Sequence, residues 1–447
     1  MERNKLNVNW DKYFKAIDAC SFFNLEGRIV KVVGLIAEGR GIDMSIGGLC
    51  LIRNENNSSI MAEAVGFKED RVLLMPYGDT RGIKPGSRIS LLNKSSMVDV
   101  GDNFLGRVID GMGIPIDGMG YVNAKTKYPL HGGLINPMNR RPIRELMDVG
   151  VAAINAMIPI GRGQRVAVMA GSGVGKSVLM GMMTRYTSAD VTIIGLIGER
   201  GREVRDFIDY NLGAEGMKKA VIIAATSDAP PLVRMRGAYL ATTMAEYFRD
   251  QNKHVLLIVD SITRFAMSSR DVGLAAGEPP TSRGYTPSFF TRIPVLLERA
   301  GNLEGGGSIT GIYTVLVEGD DMNDPVGDTV RSIVDGHIVL SRKLGNRGHY
   351  PAIDVLESVS RVMRDIVDDN HLSLRGKAID VMAAFRDVEE MISIGAYTDG
   401  SDPKIDYIKK IMPKINMFLK QGINQKVSYK RSIEQLGEIF IESPNEQ

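Results

Sequence analysis

The stretch RVAVMAGSGVGKS, at residues 165–177, joins an apolar run to a glycine-rich turn that ends in Lys-Ser. The apolar run predicts a strand, and the residues from Lys176 onward predict a helix. Glycines let the backbone curl so that successive N–H groups point inward, and the first turn of the helix adds its partial positive charge. This succession of strand, turn and helix is typical of a loop that binds a polyphosphate.

The loop supplies the first candidate binding residues, although a flexible turn before a helix is the simpler alternative. Lys176 can reach the β- and γ-phosphates of a nucleotide, and the hydroxyl of Ser177 can ligate Mg²⁺. Ala170 stands where the first glycine of such loops is usual, and a small residue suffices there because three glycines remain. We therefore predict that ATP and Mg²⁺ bind through Gly171, Ser172, Gly173, Val174, Gly175, Lys176, Ser177 and Val178.

Length and composition indicate a globular protein of two or three domains. A chain of 447 residues is longer than an ordinary domain with a single hydrophobic core. Its residues are 44% apolar and 24% charged, as is typical of globular proteins. A net charge of +2 argues against a dedicated polyanion binder but leaves room for local basic patches. Two cysteines, Cys20 and Cys50, suit a reducing cytoplasm. No apolar run approaches the roughly 20 residues that span a bilayer, and the first residues lack the apolar segment of a signal peptide, so we expect a cytoplasmic protein.

The hydrophobic pattern divides the chain into four predicted segments. Residues 1–24 contain an amphipathic helix, which either caps its own domain or docks on a partner or a membrane surface. Residues 25–95 hold short apolar runs separated by turns, which predict a small β-barrel. Residues 96–364 begin with a Gly-rich connector and continue as alternating strands and helices, which predict an α/β P-loop core with a mostly parallel, buried sheet. Residues 365–447 predict a helical C-terminal domain.

Candidate elements of the core can be placed from the runs themselves. The predicted strands are 165–170, 191–197, 220–225, 254–259, 309–317 and 336–341, and the predicted helices are 176–187, 201–211, 232–250 and 289–300.

Two carboxylates follow apolar strands of this core. Asp260 ends the run HVLLIVD and can hold Mg²⁺ opposite Ser177. Glu199 lies just beyond another apolar run, and ligands bind at the carboxyl ends of parallel strands. A carboxylate there can orient and polarise an attacking water. The alternative for Glu199 is a surface charge cluster, because charged residues crowd the following stretch RGREVRD.

Three further residues are weaker candidates on spacing alone. Arg264 lies one helical turn beyond Asp260 and can touch a released phosphate, or it forms a solvent-facing salt bridge. Tyr350 can stack on a base. Arg361 lies far along the chain from the loop, so spacing assigns it no role.

Four stretches of the chain match a known family: AGSGVGKS, GERGREVRDF, VLLIVDSITRFAMSSRDVGLAAGEPP and SITGIYTVLVEGDDMNDPVGDTVRSIVDGHIVLSR. Together they resemble the ATPases of type III protein export, which energise flagellar export and virulence injectisomes and are related to the catalytic subunit of rotary ATP synthases. The resemblance covers residues 25–440. The stretches GKSVLMGMMTRYTSADVTIIGLIGERGREVRDFI and RIPVLLERAGN resemble flagellar members better than injectisome members.

The resemblance implies roles for single residues. Residues 171–177 match the family's phosphate loop, and Glu199 matches its catalytic glutamate. Arg200 matches a basic residue near the γ-phosphate, Asp260 the Mg²⁺-binding aspartate and Arg264 a phosphate-sensing arginine. Tyr350 aligns with the tyrosine that stacks on adenine, and Arg361 aligns with the arginine finger that a neighbouring subunit supplies.

Because one chain carries both Glu199 and Arg361, identical subunits can complete every site in a ring with head-to-tail contacts. The resemblance implies a homohexamer at the cytoplasmic face of the export apparatus, peripheral to the membrane. It also implies a regulatory or stator subunit on the N-terminal helix, an export gate and coupling protein, and substrates and chaperones at the C-terminal domain.

Three other functions remain as alternatives. A rotary ATP synthase subunit has the same fold but needs a non-identical partner subunit. A hexameric RNA translocase needs aromatic and basic surfaces on the barrel, where residues 27–92 offer only Phe67, Tyr77 and a few basic residues. A module that binds ATP without turnover has no need of Lys176, Glu199 and Asp260 together.

Overall fold

The computed structural model describes Trp10, Tyr13, Phe14 and residues 26–56, 58–93, 96–133, 135–317 and 324–441. Most of the predicted N-terminal helix, including Cys20, lies outside the described residues. The chain divides into two compact units, Met1–Ser96 and Met97–Gln447. None of the helices in the described ranges combines the length and apolarity needed to cross a bilayer.

The first unit contains a closed antiparallel barrel of six strands in the order β1-β2-β5-β4-β3-β6. Its interior is apolar and includes Cys50, whose thiol is free. Closure of the barrel leaves none of these strands with an unpaired edge. The predicted small barrel is confirmed, with strands β1 Glu26–Val33, β2 Ile36–Arg40, β3 Leu49–Arg53, β4 Ser59–Lys68, β5 Arg71–Pro76 and β6 Arg88–Asn93.

The second unit is an α/β core followed by helices. Its strands are β7 Met97–Val100, β8 Val108–Asp110, β9 Thr126–Pro129, β10 Leu146–Met147, β11 Ile160–Gly161, β12 Arg165–Ala170, β13 Val191–Ile197, β14 Ala220–Ala225, β15 His254–Asp260, β16 Gly301–Asn302, β17 Ser308–Leu316, β18 Gly336–Leu340 and β19 Ile353–Ser360.

The helices of the second unit flank this sheet and then form the C-terminal region. They are α1 Ala152–Met157, α2 Lys176–Tyr186, α3 Gly201–Asp206, which continues as a π-helical segment Phe207–Leu212, α4 Gly213–Met217, α5 Pro231–Asp250, α6 Ile262–Ala275, α7 Pro287–Leu297, α8 Pro325–Ile333, α9 Arg342–Asn346, α10 Met363–Ile366, α11 Asp369–Ser393, α12 Pro403–Leu419 and α13 Tyr429–Ile439.

The main sheet has the order β19-β18-β12-β17-β15-β13-β14-β8, and β16 pairs with β17. Strands β8 and β12 to β15, together with β17 and β18, run parallel, whereas β16 and β19 are antiparallel to their neighbours. Strands β13 and β14 are buried throughout, as a sheet covered on both faces requires. The parallel arrangement brings the ends of β12, β13 and β15 to one edge of the sheet, which we call the carboxyl edge.

The C-terminal helices pack on α1. The ring Nε2 of His371, on α11, is 2.6 Å from the carbonyl oxygen of Ala156, and Nε of Arg375 donates to the carbonyl oxygen of Met157 at 2.7 Å. Apolar residues of α11 to α13 share one hydrophobic core with α1, α2 and the sheet. The division of the second unit into an ATPase domain and a helical domain at residue 365 stays a prediction.

The α/β class is confirmed, but the sequence pattern misses several elements. Strand β8 arises from the Gly-rich connector, because its three residues are too few to show a period. Strand β19, IDVLESVS, is half-exposed and carries acidic and small polar residues that disfavour strands. Helix α6 is rich in Ser, Thr and Gly, so its packing rather than its propensity makes it helical.

Candidate active site

The glycine-rich loop leaves β12 and enters α2 at the carboxyl edge. Gly173 and Gly175 have φ angles of +79° and +88°, in the left-handed region that favours glycine. Lys176 is the first residue of α2, and the N–H of Leu179 donates to the carbonyl oxygen of Gly175 at 3.0 Å. The predicted succession of strand, loop and helix is therefore present, with the helix start facing the same edge as the ends of β13 and β15.

The ammonium group of Lys176 lies between two carboxylates. Nζ donates a hydrogen bond to Oδ1 of Asp260 and is 3.6 Å from Oε1 of Glu199. Asp260 ends β15, and its side chain is 3% exposed, so its charge needs this partner. Three predicted residues from three separate strand ends thus meet at one point.

The carboxyl group of Glu199 has an unusually high pKa for a residue that is partly exposed. Burial and the neighbouring charge of Asp260 raise the pKa of Glu199 to about 7, although Lys176 opposes the shift. A general base works best when its pKa lies near the operating pH. The main chain of Glu199 is also fixed, because the N–H of Ser227 donates to its carbonyl oxygen at 3.0 Å.

Two neighbours of these carboxylates were not predicted from the sequence. The hydroxyl of Thr314, on β17, donates to Oδ1 of Asp260 at 2.6 Å. The side chain of Glu203 hydrogen-bonds to that of Glu199, and this contact is the largest cause that lowers the pKa of Glu203. Thr314 is one of two threonines in an apolar strand, so only the strand order could have singled it out.

Arg200 and Arg264 occupy different environments. The side chain of Arg200 is 82% exposed, and its Nη1 lies 3.3 Å from a carboxylate oxygen of Glu203. The side chain of Arg264 packs against Gly198, where an added methyl group would lie 2.7 Å from its Cβ. Nε of Arg264 is buried and finds no hydrogen-bond partner among the described residues. The structure therefore does not place Arg264 in a solvent-facing ion pair.

Tyr350 lies beside the phosphate loop. A methyl group in place of the Gly175 hydrogen would sit 3.5 Å from Cε1 of the Tyr350 ring, and one at Gly345 would sit 3.5 Å from its hydroxyl oxygen. The side chain is 47% exposed, so part of the ring is open to a ligand. An aromatic ring with this exposure next to a phosphate loop can stack on the base of a bound nucleotide.

Arg361 lies at the opposite end of the strands from the loop. Ala170 is level with Leu340 in the sheet, whereas Ser360 is level with Gly336. Those four residue steps separate Arg361 from the carboxyl edge by about 13 Å or more along the strands. The N–H of Arg361 donates to the carbonyl oxygen of Asp335, and its Nη2 donates to the carbonyl oxygen of Arg331.

The residues at the carboxyl edge fit Mg²⁺, a hard cation that prefers oxygen ligands. Ser177 is the second residue of α2 and is exposed. Asp260 lies beside Lys176, the residue that precedes Ser177. No group of three or more His, Cys, Asp or Glu that could hold a metal occurs in the part of the chain that the structure describes. This donor set suits Mg²⁺ held by one or two side chains and by the phosphates of a nucleotide.

Comparisons with known proteins show which family the chain belongs to. Family models match the beta-barrel domain of the ATP synthase alpha/beta family over residues 29–93, its nucleotide-binding domain over residues 150–360, and the C-terminal domain of the type III secretion ATPase EscN over residues 367–438. A flagellum-specific ATP synthase of Pseudomonas aeruginosa is 45% identical over 98% of each chain. The chain belongs to the family of flagellum-specific and type III secretion ATPases.

Relatives from the flagellar system and from the injectisome system have similar sequence identity to this chain. A type 3 secretion system ATPase of Xanthomonas euvesicatoria is 44% identical, over 92% of this chain and 93% of the relative. The solved structure of the assembled ATPase EscN, from the type III secretion system of enteropathogenic E. coli, has a TM-score of 0.88 and 43% identity, covering 92% of this chain and 99% of that chain. The predicted fold, family and ATPase activity are confirmed, and identity alone does not separate flagellar from injectisome use.

Proposed function

We propose that this ATPase hydrolyses Mg-ATP at the subunit interfaces of a homohexamer and energises type III protein export for flagellar assembly. The observation that carries the proposal is the meeting of Lys176, Glu199 and Asp260 at the mouth of the glycine-rich loop. A cation for the phosphates, a carboxylate for the metal and a second carboxylate with a raised pKa are the parts that phosphoryl transfer to water requires.

In the proposed reaction the loop N–H groups and Lys176 hold the triphosphate. Lys176 exchanges its contacts with the two carboxylates for contacts with the β- and γ-phosphates. Glu199 then orients a water in line with the γ-phosphorus and accepts its proton. If Mg²⁺ is bound, Ser177 and Asp260 would hold it, and it would neutralise charge on the phosphate oxygens. Arg264, adjacent to Gly198 and buried at Nε, is the proposed contact for the released phosphate.

A second subunit completes the site in this proposal. Arg361 is too far from its own phosphate loop to reach it, as the strand register requires. A neighbouring subunit in a head-to-tail ring can present its Arg361 instead. An arginine finger raises the rate of such reactions about 10³- to 10⁵-fold, so a lone subunit should hydrolyse ATP poorly. The solved structure of EscN, an assembled ATPase, supports an arrangement of several subunits.

The proposed cellular setting is the cytoplasmic face of a flagellar export apparatus. There the N-terminal helix contacts a regulatory or stator subunit, and the C-terminal helices contact exported proteins and their chaperones. An export gate and coupling protein complete the proposed partners, and no nucleic acid is expected among them. The names of relatives such as the Pseudomonas aeruginosa protein favour the flagellar role. Deletion of the gene should abolish motility; a motile deletion strain that loses injectisome secretion would instead assign the chain to that system.

The proposal is tested by phosphate release across a dilution series of the purified chain. The rate per subunit should rise steeply with protein concentration, in step with ring assembly measured by sedimentation. A constant rate per subunit, down to concentrations where only single subunits sediment, would contradict the shared site.

A further inference from the structure

Gln421 is a buried polar residue two positions beyond the end of α12. Only 7% of it is exposed. Its Oε1 accepts from the N–H of Ala152 at 2.8 Å, and its Nε2 donates to the carbonyl oxygens of Gly150, at 2.8 Å, and Gln425, at 2.7 Å. Both donors and the acceptor of the amide are therefore used, and all three partners are main-chain groups. The side chain of Gln421 is fixed against the segment that leads into α1.

The main chain of Gln421 is hydrogen-bonded to Tyr350. Its N–H donates to the carbonyl oxygen of Tyr350 at 3.0 Å. The ring of Tyr350 meets Gly175 of the phosphate loop on one side and Gly345 of α9 on another. The main chain of Tyr350, which carries this half-exposed ring, is thus joined through Gln421 to the segment at Gly150 and Ala152 and to the C-terminal helices.

We propose that Gln421 is a positioning residue for recognition of the nucleotide base. By fixing the main chain of Tyr350, it holds the ring in the orientation that stacks on the base before a nucleotide arrives. This inference rests on the proposed stacking role of Tyr350. Preorganisation of this kind strengthens binding because the ordering cost is met before the ligand arrives. Without the amide of Gln421, residues 420–425 lose their anchor to Gly150 and Ala152, and the contact with Tyr350 weakens.

The first test compares ATP with a ligand that has no base. In Gln421→Ala, KM for Mg-ATP should rise between about threefold and tenfold with kcat nearly unchanged, less than the effect of losing the stacked ring itself. Inhibition by Mg-tripolyphosphate should stay as in the wild type, because the phosphate loop is not altered. Equal weakening of ATP and tripolyphosphate, or an unchanged KM, would overturn the proposal. Gln425→Ala is the matched control, because the one hydrogen bond that the exposed side chain of Gln425 makes to the described residues is accepted from the N–H of Gly422, at 3.4 Å.

The second test is a double-mutant cycle with Tyr350→Ala. Tyr350→Ala alone should raise KM for Mg-ATP about 5- to 150-fold, the range for one base–aromatic stack. Adding Gln421→Ala to it should cause no further rise. If the two effects multiply instead, Gln421 does not act through Tyr350 and the inference fails. If Tyr350→Ala leaves KM unchanged, the stacking role fails first, which is a different result. Should Gln421→Ala not fold, Gln421→Glu, which keeps the size and the acceptor for Ala152, takes its place in both tests.

Discussion

The two edges of the central sheet carry complementary halves of one reaction. At the carboxyl edge, Lys176, Glu199 and Asp260 come from three strand ends, and the ammonium group of Lys176 lies against both carboxylates. At the opposite edge, Arg361 is exposed and makes hydrogen bonds only to main-chain carbonyl groups among the described residues. At the first edge the cation of Lys176 is paired with carboxylates, whereas the side chain of Arg361 at the second edge is paired with no carboxylate among the described residues. One subunit therefore holds both halves of the proposed site at positions that cannot meet within it.

The strongest test of this comparison separates the two edges by mutation. Lys176→Ala removes the ammonium group that binds phosphate at the carboxyl edge. Arg361→Ala removes the guanidinium group at the opposite edge. Each variant alone should lose about 10³- to 10⁵-fold in phosphate release, because every interface lacks one half. Mixed and reassembled in equal amounts, the two should recover about one quarter of the wild-type interfaces, those with an Arg361→Ala site and a Lys176→Ala neighbour.

The outcome of the mixing experiment decides where Arg361 acts. Recovery above the sum of the separate variants is expected only if Arg361 serves the site of another subunit. A mixture as inactive as its components, in rings that form normally by sedimentation, would place Arg361 outside the shared site. The wild type mixed with Lys176→Ala is the control for exchange of subunits between rings.

The carboxyl edge alone is tested by Glu199→Gln. The amide keeps the size of the side chain but cannot accept the proton of the water, so the rate should fall about 10²- to 10⁴-fold. Binding of Mg-ATP should persist, because Lys176 and the loop are unchanged. Nucleotide affinity is measured by equilibrium dialysis and turnover by phosphate release. A rate within a few-fold of the wild type would place the general base elsewhere.

These two edges also differ in how well the sequence predicted them. The loop at 165–177 and the strand that ends in Asp260 are local patterns, in which neighbouring residues act together. Glu199 follows from the rule that ligands bind at the carboxyl ends of parallel strands. The residues around Arg361 do not predict where it lies, because strand β19, which precedes it, is half-exposed. The role of Arg361 came only from the family resemblance. The contact of Thr314 depends on which strands become neighbours, and a single sequence does not show that, whereas Glu203 lies only four residues beyond Glu199.

The pH dependence of catalysis should report the buried carboxyl group of Glu199. Its pKa is raised to about 7, so the catalytically active anion is present above pH 7 and is lost as the pH falls through that value. Because kcat/KM reports groups of the free enzyme, it should drop about tenfold between pH 8 and pH 6. Glu199→Gln should abolish this dependence and show a flat profile over the same range. A wild-type profile that is flat from pH 6 to 8 would contradict the raised pKa.

The smallest expected effect compares two threonines at opposite ends of β17. Thr314→Val removes the hydroxyl that donates to Asp260 at 2.6 Å and nearly preserves the volume of the side chain. Groups that orient a metal-binding carboxylate typically contribute 10- to 100-fold to metal affinity, so half-maximal activity should require about tenfold more Mg²⁺. Thr310→Val is the matched change at the other edge, where the hydroxyl accepts from the N–H of Gly163 at 2.9 Å.

Loss of that acceptor leaves a buried N–H of Gly163 unpaired, so Thr310→Val should lower the free energy of unfolding by about 1–3 kcal/mol. Its Mg²⁺ requirement should stay that of the wild type, because Asp260 and Lys176 lie at the other end of the strands. Titrating Mg²⁺ and measuring denaturant unfolding on both variants separates the two edges within one strand. Equal Mg²⁺ requirements for Thr314→Val and Thr310→Val would show that the contact with Asp260 does not tune the metal site, and the carboxyl edge would then depend on its ion pairs alone.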